Sequence, residues 1–279
     1  MNWRLKLLGF SLVFLLAFGC TENSDTSMYP TSDQRRQVNA LLISGTTNPG
    51  QTALEHARES IAETFGDAKN VLLINFASLP EKRDAYLVRM KGLFAEIGPG
   101  YEMQSLHDFE VSQCVEAVEN ADAFYVSGGN TFLLLRELYD RDVVELIRKR
   151  VLDGTPYIGS SAGSNIGGQV IGTTNDFPLV DVPTRRSLGI LPAVYNPHHP
   201  DPALDEVQFE ARQWKIGEYT SYHKDQAVIG VTNPGMLRIR GDEISLVGIG
   251  ATAFVHSQGS KQVIISTQVG EVSKALESD

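Results

Sequence analysis

Cysteine is almost absent: the 279 residues carry two, Cys20 and Cys114. Two thiols cannot build the disulfide framework of a small secreted scaffold, so the fold must rest on a buried core. Basic residues are in the minority, 24 Lys and Arg against 34 Asp and Glu, for a net charge of −10. That balance excludes a broad basic surface for nucleic acid or anionic membrane. No internal repeat, low-complexity tract or second-domain linker breaks the chain. What remains is ordinary for a globular protein: 42% hydrophobic and 21% charged residues, enough for one large domain.

The opening residues read as an address. Arg4 and Lys6 precede Leu7 to Phe18, an apolar run of twelve residues, too short for a comfortable span and suited to a secretory signal. The run ends Leu16-Ala-Phe-Gly-Cys20, which resembles a bacterial lipoprotein cleavage site. The expected organisation is therefore a signal peptide over 1–20 with Cys20 as the lipidation site, and a flexible polar tether over 21–36. A single domain over 37–268 and a short tail over 269–279 follow. Export to the periplasmic side of a bacterial membrane is expected, with membrane contact only through the lipid. Without Arg4 and Lys6 the balance is 22 basic to 34 acidic side chains, or −12. Cys114 has no partner and sits in an amphipathic helix pattern, which points to core packing.

From Asn39 onward apolar runs alternate with helical spacing. Ala40 to Ile43, Val71 to Phe76, a stretch near Tyr101 to Leu106 and Ala123 to Val126 read as strands. Between them Thr52 to Phe65, Glu81 to Ile97, Val111 to Asn120, Leu133 to Tyr139 and Val143 to Leu152 read as helices. Continuous apolar strands alternating with helices predict an α/β fold: a doubly wound, mostly parallel sheet with helices on both faces. Asp205 to Tyr219 adds a helix, and Met236 to Val247 an antiparallel hairpin about Gly241-Asp242 near the C-terminus. Pro178 to Pro200 is proline-rich with short apolar pieces, and Val263 to Ser266 is a further candidate strand.

Tyr157-Ile-Gly-Ser-Ser-Ala-Gly-Ser-Asn165 contains Gly-x-Ser-x-Gly about Ser161. The spacing suits a strand that turns sharply into a helix and presents one hydroxyl at the bend, with free N–H groups beside it. By itself it suits a tight connection or a phosphate cradle as well. In parallel sheets, sites form at the carboxyl ends of strands. Ser44 to Gly50, Ser127-Gly-Gly-Asn130 and the Ser161 turn all fall at such ends. A serine nucleophile also needs a base and an orienting group. Of six histidines, His198 and His199 lie in the loop-rich segment after the turn, and Asp176 lies in a polar loop. His199 reads as exposed. His198, His199, Asp201 and Asp205 are interrupted by two prolines and offer no i, i+4 pair, so no metal is expected.

The same residues carry a resemblance. The Ser161 motif, Val126-Ser-Gly-Gly-Asn-Thr-Phe132, Thr47-Asn-Pro-Gly50, Thr173-Thr-Asn-Asp-Phe-Pro178, Leu188-Gly-Ile-Leu-Pro192 and Asn196-Pro-His198 look like those of peptidase E, the α-aspartyl dipeptidase family of serine peptidases. The resemblance covers roughly Asn39 to Gly248. It implies a flavodoxin-like fold related to class I glutamine amidotransferase domains, and cleavage of dipeptides with an N-terminal aspartate without metal or cofactor. Carried over by position, it makes Ser161 the nucleophile, His198 the base and Asp176 the orienting carboxylate, with Glu210 in reserve. Gly129 and Ala162 become the oxyanion donors, and Arg212, in Glu210-Ala-Arg-Gln-Trp-Lys-Ile216, the partner of the substrate carboxylate. A guanidinium fork suits a carboxylate because it donates two parallel bonds.

Three departures bear on the substrate. Ala211 stands for a threonine, Lys215 for an arginine, and His199-Pro-Asp-Pro-Ala-Leu-Asp-Glu206 replaces a glycine-rich stretch. Two other classes remain open: a cyanophycinase-like exported peptidase, and a catalytically silent, lipid-anchored protein that binds an acidic ligand.

Overall fold

The computed structural model describes residues 29–98, 100–258, 260–265 and 270–277. The expected signal segment, Cys20 and the first half of the expected tether lie outside the described residues. A short helix α1 (Ser32–Arg35), closed by a Thr31–Gln34 capping box, precedes strand β1 (Asn39–Ile43). Then come α2 (Arg58–Phe65), β2 (Asn70–Ile74), α3 (Arg83–Ile97), β3 (Glu102–Ser105), α4 (Cys114–Glu119) and β4 (Ala123–Val126). Helices α5 (Thr131–Asp140) and α6 (Val144–Leu152) lead to β5 (Tyr157–Ser160) and α7 (Ala162–Asn165). The chain continues through β6 (Val194–His199), α8 (Glu206–Tyr222), β7 (Val228–Thr232), β8 (Met236–Arg240) and β9 (Glu243–Val247). It ends with β10 (Thr252–Ser257), β11 (Ser260–Ile265) and α9 (Glu271–Glu277).

Seven strands form one sheet in the order β3-β2-β4-β5-β1-β8-β9; the first five are parallel and the β8–β9 hairpin is antiparallel. Period-two alternation puts Leu41, Ile43, Val71, Leu73 and Tyr125 on one face, against Ile61 and Phe65 of α2 and Met90 and Phe94 of α3. Leu42, Leu72, Ile74, Phe124 and Val126 point the other way, into a larger core shared with α4, α5 and α6. Both faces are buried, which is why these strands read as unbroken apolar runs. Cys114 is buried in that second core.

The second core is completed by a feature absent from the sequence reading: a four-stranded sheet in the order β11-β10-β7-β6. Tyr195, Ile229, Val231, Ala253 and Val255 pack into it. Strand β6 carries Pro197 inside it, and the β6–β7 register shifts between Asn196 and His199. A proline removes a ladder donor, so a bulge is the place a strand can hold one. Strand β7 carries Gly230, where a Cβ would lie 2.2 Å from the His199 ring. Three more readings change. Residues 32–35, assigned to the tether, are helical, and Arg35 donates to the Pro30 carbonyl. Residues 271–277, assigned to a tail, form α9 with Val272 and Ala275 buried against the core. His199, read as exposed, is 2% exposed, because the bulge turns it under α8. Among the described residues no helix is long and apolar enough to cross a membrane.

Candidate active site

Ser161 lies at the carboxyl end of β5, with φ 50° and ψ −108°. That is strained backbone for a residue with a Cβ, and such strain persists only where the surroundings over-determine it. Here they do. The Ser161 N–H donates to the Ile43 carbonyl (2.9 Å), and Ser164 Oγ to the carbonyls of Ile43 and Gly159 (2.8 Å each). Tyr157 OH reaches the Gly163 carbonyl at 2.6 Å. A Cβ on Gly159 would lie 2.5 Å from the Gly163 carbonyl oxygen, and one on Gly163 would lie 2.2 Å from that of Val126. Both glycines of the motif are therefore dictated by close backbone approach.

The bulge in β6 brings the second group. His198, at φ 53°, turns its ring toward β5, and its Nε2 lies 2.8 Å from Ser161 Oγ. Its backbone N–H donates to Ser44 Oγ (2.8 Å) at the end of β1. Asn165 Nδ2 on α7 donates to the Tyr195 carbonyl on β6 (3.0 Å), tying the serine's helix to the histidine's strand. To accept the serine proton, Nε2 must be unprotonated, so Nδ1 carries the hydrogen and needs an acceptor. The acceptor is Asn233 Oδ1 at 3.2 Å, which also faces Ser44 Oγ at 2.9 Å. Partial burial lowers the His198 pKa below its usual value of 6.5. The Asn233 hydrogen bond and the Asp176 charge work against that shift, and the Arg212 charge works with it. The ring is held as neutral imidazole at pH 7, the form that can accept a proton.

Asp176, expected to orient His198, is engaged elsewhere. Its Oδ2 accepts from the Thr131 N–H (2.7 Å), Thr131 Oγ1 (2.6 Å) and Thr174 Oγ1 (3.2 Å). It thereby fastens its loop to the first turn of α5, just past Gly128-Gly129-Asn130. Glu210, the reserve orienter, is exposed on α8, and its carboxylate has neither hydrogen bond nor ion pair among the described residues. The group that meets His198 was missed. Asn233 lies in Thr232-Asn-Pro-Gly235, a segment given no role in the sequence analysis. The one available signal was its place directly after an apolar strand, at the end where parallel sheets gather sites.

Gly129 and Ala162 flank the serine. A Cβ on Gly128 would lie 3.0 Å from Ser161 Cβ, and one on Gly129 (φ 138°) would lie 2.4 Å from the Ala77 carbonyl oxygen. Among the described residues, neither the Gly129 N–H nor the Ala162 N–H donates to a protein acceptor. Two free donors beside a serine hydroxyl can stabilise negative charge on an oxygen placed between them.

Beside this group opens a cavity of about 320 Å³, lined by Thr173, Thr174, Asn175, Asn196, Arg212, Lys215 and Tyr219. Arg212 Nη1 donates to Asn196 Oδ1 (2.8 Å), and the guanidinium meets no carboxylate among the described residues. Burial lowers its pKa. A half-buried guanidinium without a counter-ion is costly unless a ligand supplies one. Among the described residues, the histidine–carboxylate group close enough to share a cation is Asp84, His107 and Asp108, beside edge strand β3 and apart from this site.

A family model described as "Peptidase family S51" matches residues 40–247. "Peptidase E" of Shewanella denitrificans is 37% identical over 211 residues, 76% of this chain and 88% of its own. "Peptidase E" of Nostoc sp. is 34% identical over 209 residues, 75% and 85% of the two chains. Among solved structures, a putative peptidase E protein from Listeria monocytogenes EGD-e superposes with a TM-score of 0.58 at 23% identity, covering 76% of this chain and 98% of its own. A peptidase from an acI-B1 Actinobacterium gives 0.59 at 19% identity, covering 86% and 99%. At those identities the two structures speak for the fold alone.

Proposed function

The chain belongs to peptidase family S51 and is a serine-type peptidase; on that premise we propose that it is an exported dipeptidase that removes N-terminal aspartate. The observation that carries the chemistry is the 2.8 Å approach of Ser161 Oγ to His198 Nε2. Ser161 Oγ attacks the scissile carbonyl and passes its proton to His198 Nε2, while Nδ1–H stays bonded to Asn233 Oδ1. The Gly129 and Ala162 N–H groups take the developing oxyanion. His198 then gives its proton to the leaving amine, and the same base activates the water that frees Ser161. Asp176 serves by fixing the loop that carries Gly129. Asn233 replaces the usual carboxylate with a neutral amide oxygen, which keeps the tautomer but adds little charge stabilisation to the imidazolium.

Specificity rests on Arg212 and its 320 Å³ cavity, which take the substrate's aspartate side chain. A neutral side chain leaves that guanidinium unpaired, so it is rejected by more than the lost contact. Profiling the domain on dipeptides varied at the N-terminal residue tests this. Asp-Leu is expected to exceed Asn-Leu in kcat/KM by about 10- to 100-fold, the worth of a hydrogen bond to a charged group. Arg212→Ala removes the difference. Comparable values for Asp-Leu, Ala-Leu and Lys-Leu in the wild type refute the specificity and leave a broader serine dipeptidase. Arg4, Lys6, the apolar run and Cys20 support export as a lipoprotein. A fatty-acid analogue is expected to label the wild type and not Cys20→Ala, and equal labelling of both sinks the anchor.

A further inference from the structure

Behind Gly129 stands a charged cluster that the chemistry above does not use. Phe76, fully buried, faces two guanidinium groups: Arg83 Cζ lies 4.9 Å and Arg141 Cζ 4.2 Å from its ring centroid. Both are held by one carboxylate. Glu137 Oε1 accepts from Arg83 Nη2 at 2.6 Å, and Glu137 Oε2 accepts from Arg141 Nη1. The three side chains are 8%, 16% and 20% exposed for Arg83, Arg141 and Glu137, so two cations share one anion almost out of water. That is an expensive arrangement for stability alone, since a buried pair seldom outperforms an apolar replacement.

What the cluster holds is the turn after β2. Arg83 Nε donates to the Ser78 carbonyl (3.1 Å), Asn75 Nδ2 donates to the Arg83 carbonyl (3.0 Å), and Ser78 N–H closes on the Asn75 carbonyl (3.1 Å). The turn in turn holds the loop beside Ser161. The Ala77 carbonyl accepts the Asn130 N–H at 2.8 Å and lies so close to Gly129 that no Cβ fits between them. Two residues past Gly129, Asp176 accepts from the N–H and hydroxyl of Thr131. The segment from Gly129 to Thr131 is thus tied to two carboxylate networks.

We propose that Glu137, acting through Arg83, Arg141 and Phe76, is a positioning residue for the oxyanion hole, fixing where the Gly129 N–H points. The inference rests on the reading of Gly129 as an oxyanion donor. Oxyanion donors act only when preset at the place where charge develops, so a small displacement lowers the rate without weakening ground-state binding.

Glu137→Gln keeps the shape and removes the charge that gathers both guanidiniums. In the full chain, kcat on the preferred dipeptide is expected to fall about tenfold, or ~1.4 kcal/mol, with KM within twofold. Affinity for a boronic-acid dipeptide analogue, whose boron takes Ser161 Oγ to become tetrahedral, falls by the same factor. The midpoint of the acid limb does not move, because His198 is untouched, and Glu137→Asp recovers part of the loss. Should Glu137→Gln not fold, Phe76→Leu is read the same way with a smaller loss. An unchanged kcat per folded molecule, with only the melting temperature lowered, overturns the proposal. Full activity in Ser161→Ala overturns the serine mechanism and this inference together. An inactive Ser161→Ala beside a normal Glu137→Gln overturns this inference alone.

Discussion

In the seven-stranded sheet, Ser161 is held by backbone: its N–H is bonded to Ile43, and glycines on either side let neighbouring chains press against it. In the four-stranded sheet, His198 is held by side chains, with Ser44 Oγ on its N–H and Asn233 Oδ1 on its ring. The first arrangement is local, built by one strand, one turn and one short helix. The second is assembled from distant residues, because Ser44 follows β1, His198 sits in β6 and Asn233 follows β7. A backbone-held group tolerates few substitutions near it but depends on little else. A group held by side chains can be retuned one atom at a time.

The largest effect expected is loss of either partner across the junction. Ser161→Ala or His198→Ala should each lower kcat by on the order of 10⁶, and the double variant should lose little more, since the two act as a unit. Additive losses in that pair would separate the two halves of the site. Next is the orienting contact. Asn233→Ala leaves Nδ1–H without its acceptor and should lower kcat by about 10²–10³, less than the roughly 10⁴ of an orienting carboxylate. Asp176→Asn should lower kcat by roughly tenfold, the modest effect of loosening a loop one contact away. The reverse order in kinetic assays would restore Asp176 as the orienter.

The same contrast governs what could be read from the residues alone. β1, β2 and β4 are buried on both faces and appear as apolar runs, and Tyr157-Ile158 opens β5 just before the glycine-flanked serine, so the parallel sheet and the Ser161 turn were legible. Resemblance then supplied His198. The second sheet was hidden by Pro197 and Gly230, each normally a mark against a strand and each accommodated at the bulge that aims His198. Asn233 was hidden for a different reason. Its nearness to His198 follows from the parallel register that pairs Thr232 with His199, across more than thirty residues of chain. Asp176 comes from the resemblance, and its Oδ2 is bonded to Thr131 at the start of α5.

Acid should find the second sheet first. His199 and His256 are 2% and 4% exposed, their rings stack at 6.4 Å between centroids, and burial lowers both pKa values from 6.5 to about 4. His256 Nε2 is buried without a partner. For a base held neutral in the fold, the unfolded chain binds more protons between the two pKa values. The stabilisation is therefore complete above about pH 6.5 and is lost as pH falls toward 4. With both rings near-fully buried, the loss is on the order of 3 kcal/mol per ring. Urea melts between pH 7 and 4 should show the midpoint falling steeply in that window, and His256→Phe should flatten part of the fall. A midpoint independent of pH there would mean that the rings open to water before they charge.

The smallest effect is the most discriminating for the side-chain-held half. His198 has its pKa lowered mainly by burial, and Asn233 offers a hydrogen bond with no charge behind it. Under the proposed mechanism neutral His198 is the working form, so wild-type kcat/KM should rise with pH through a pKa below 6.5 and then level off. Asn233→Asp puts a carboxylate at the same 3.2 Å distance from Nδ1. The negative charge favours imidazolium, so the acid limb must move to higher pH, by about one unit. The same charge stabilises the imidazolium formed as Ser161 attacks, so the plateau should hold or rise once the pH exceeds the new pKa. Asp176→Asn removes a more distant negative charge that also raises the His198 pKa, so its limb should move the opposite way and by less. A limb that stays put in Asn233→Asp would show that Asn233 does not face the titrating ring, and an upward shift in Asp176→Asn would show that the limb does not belong to His198.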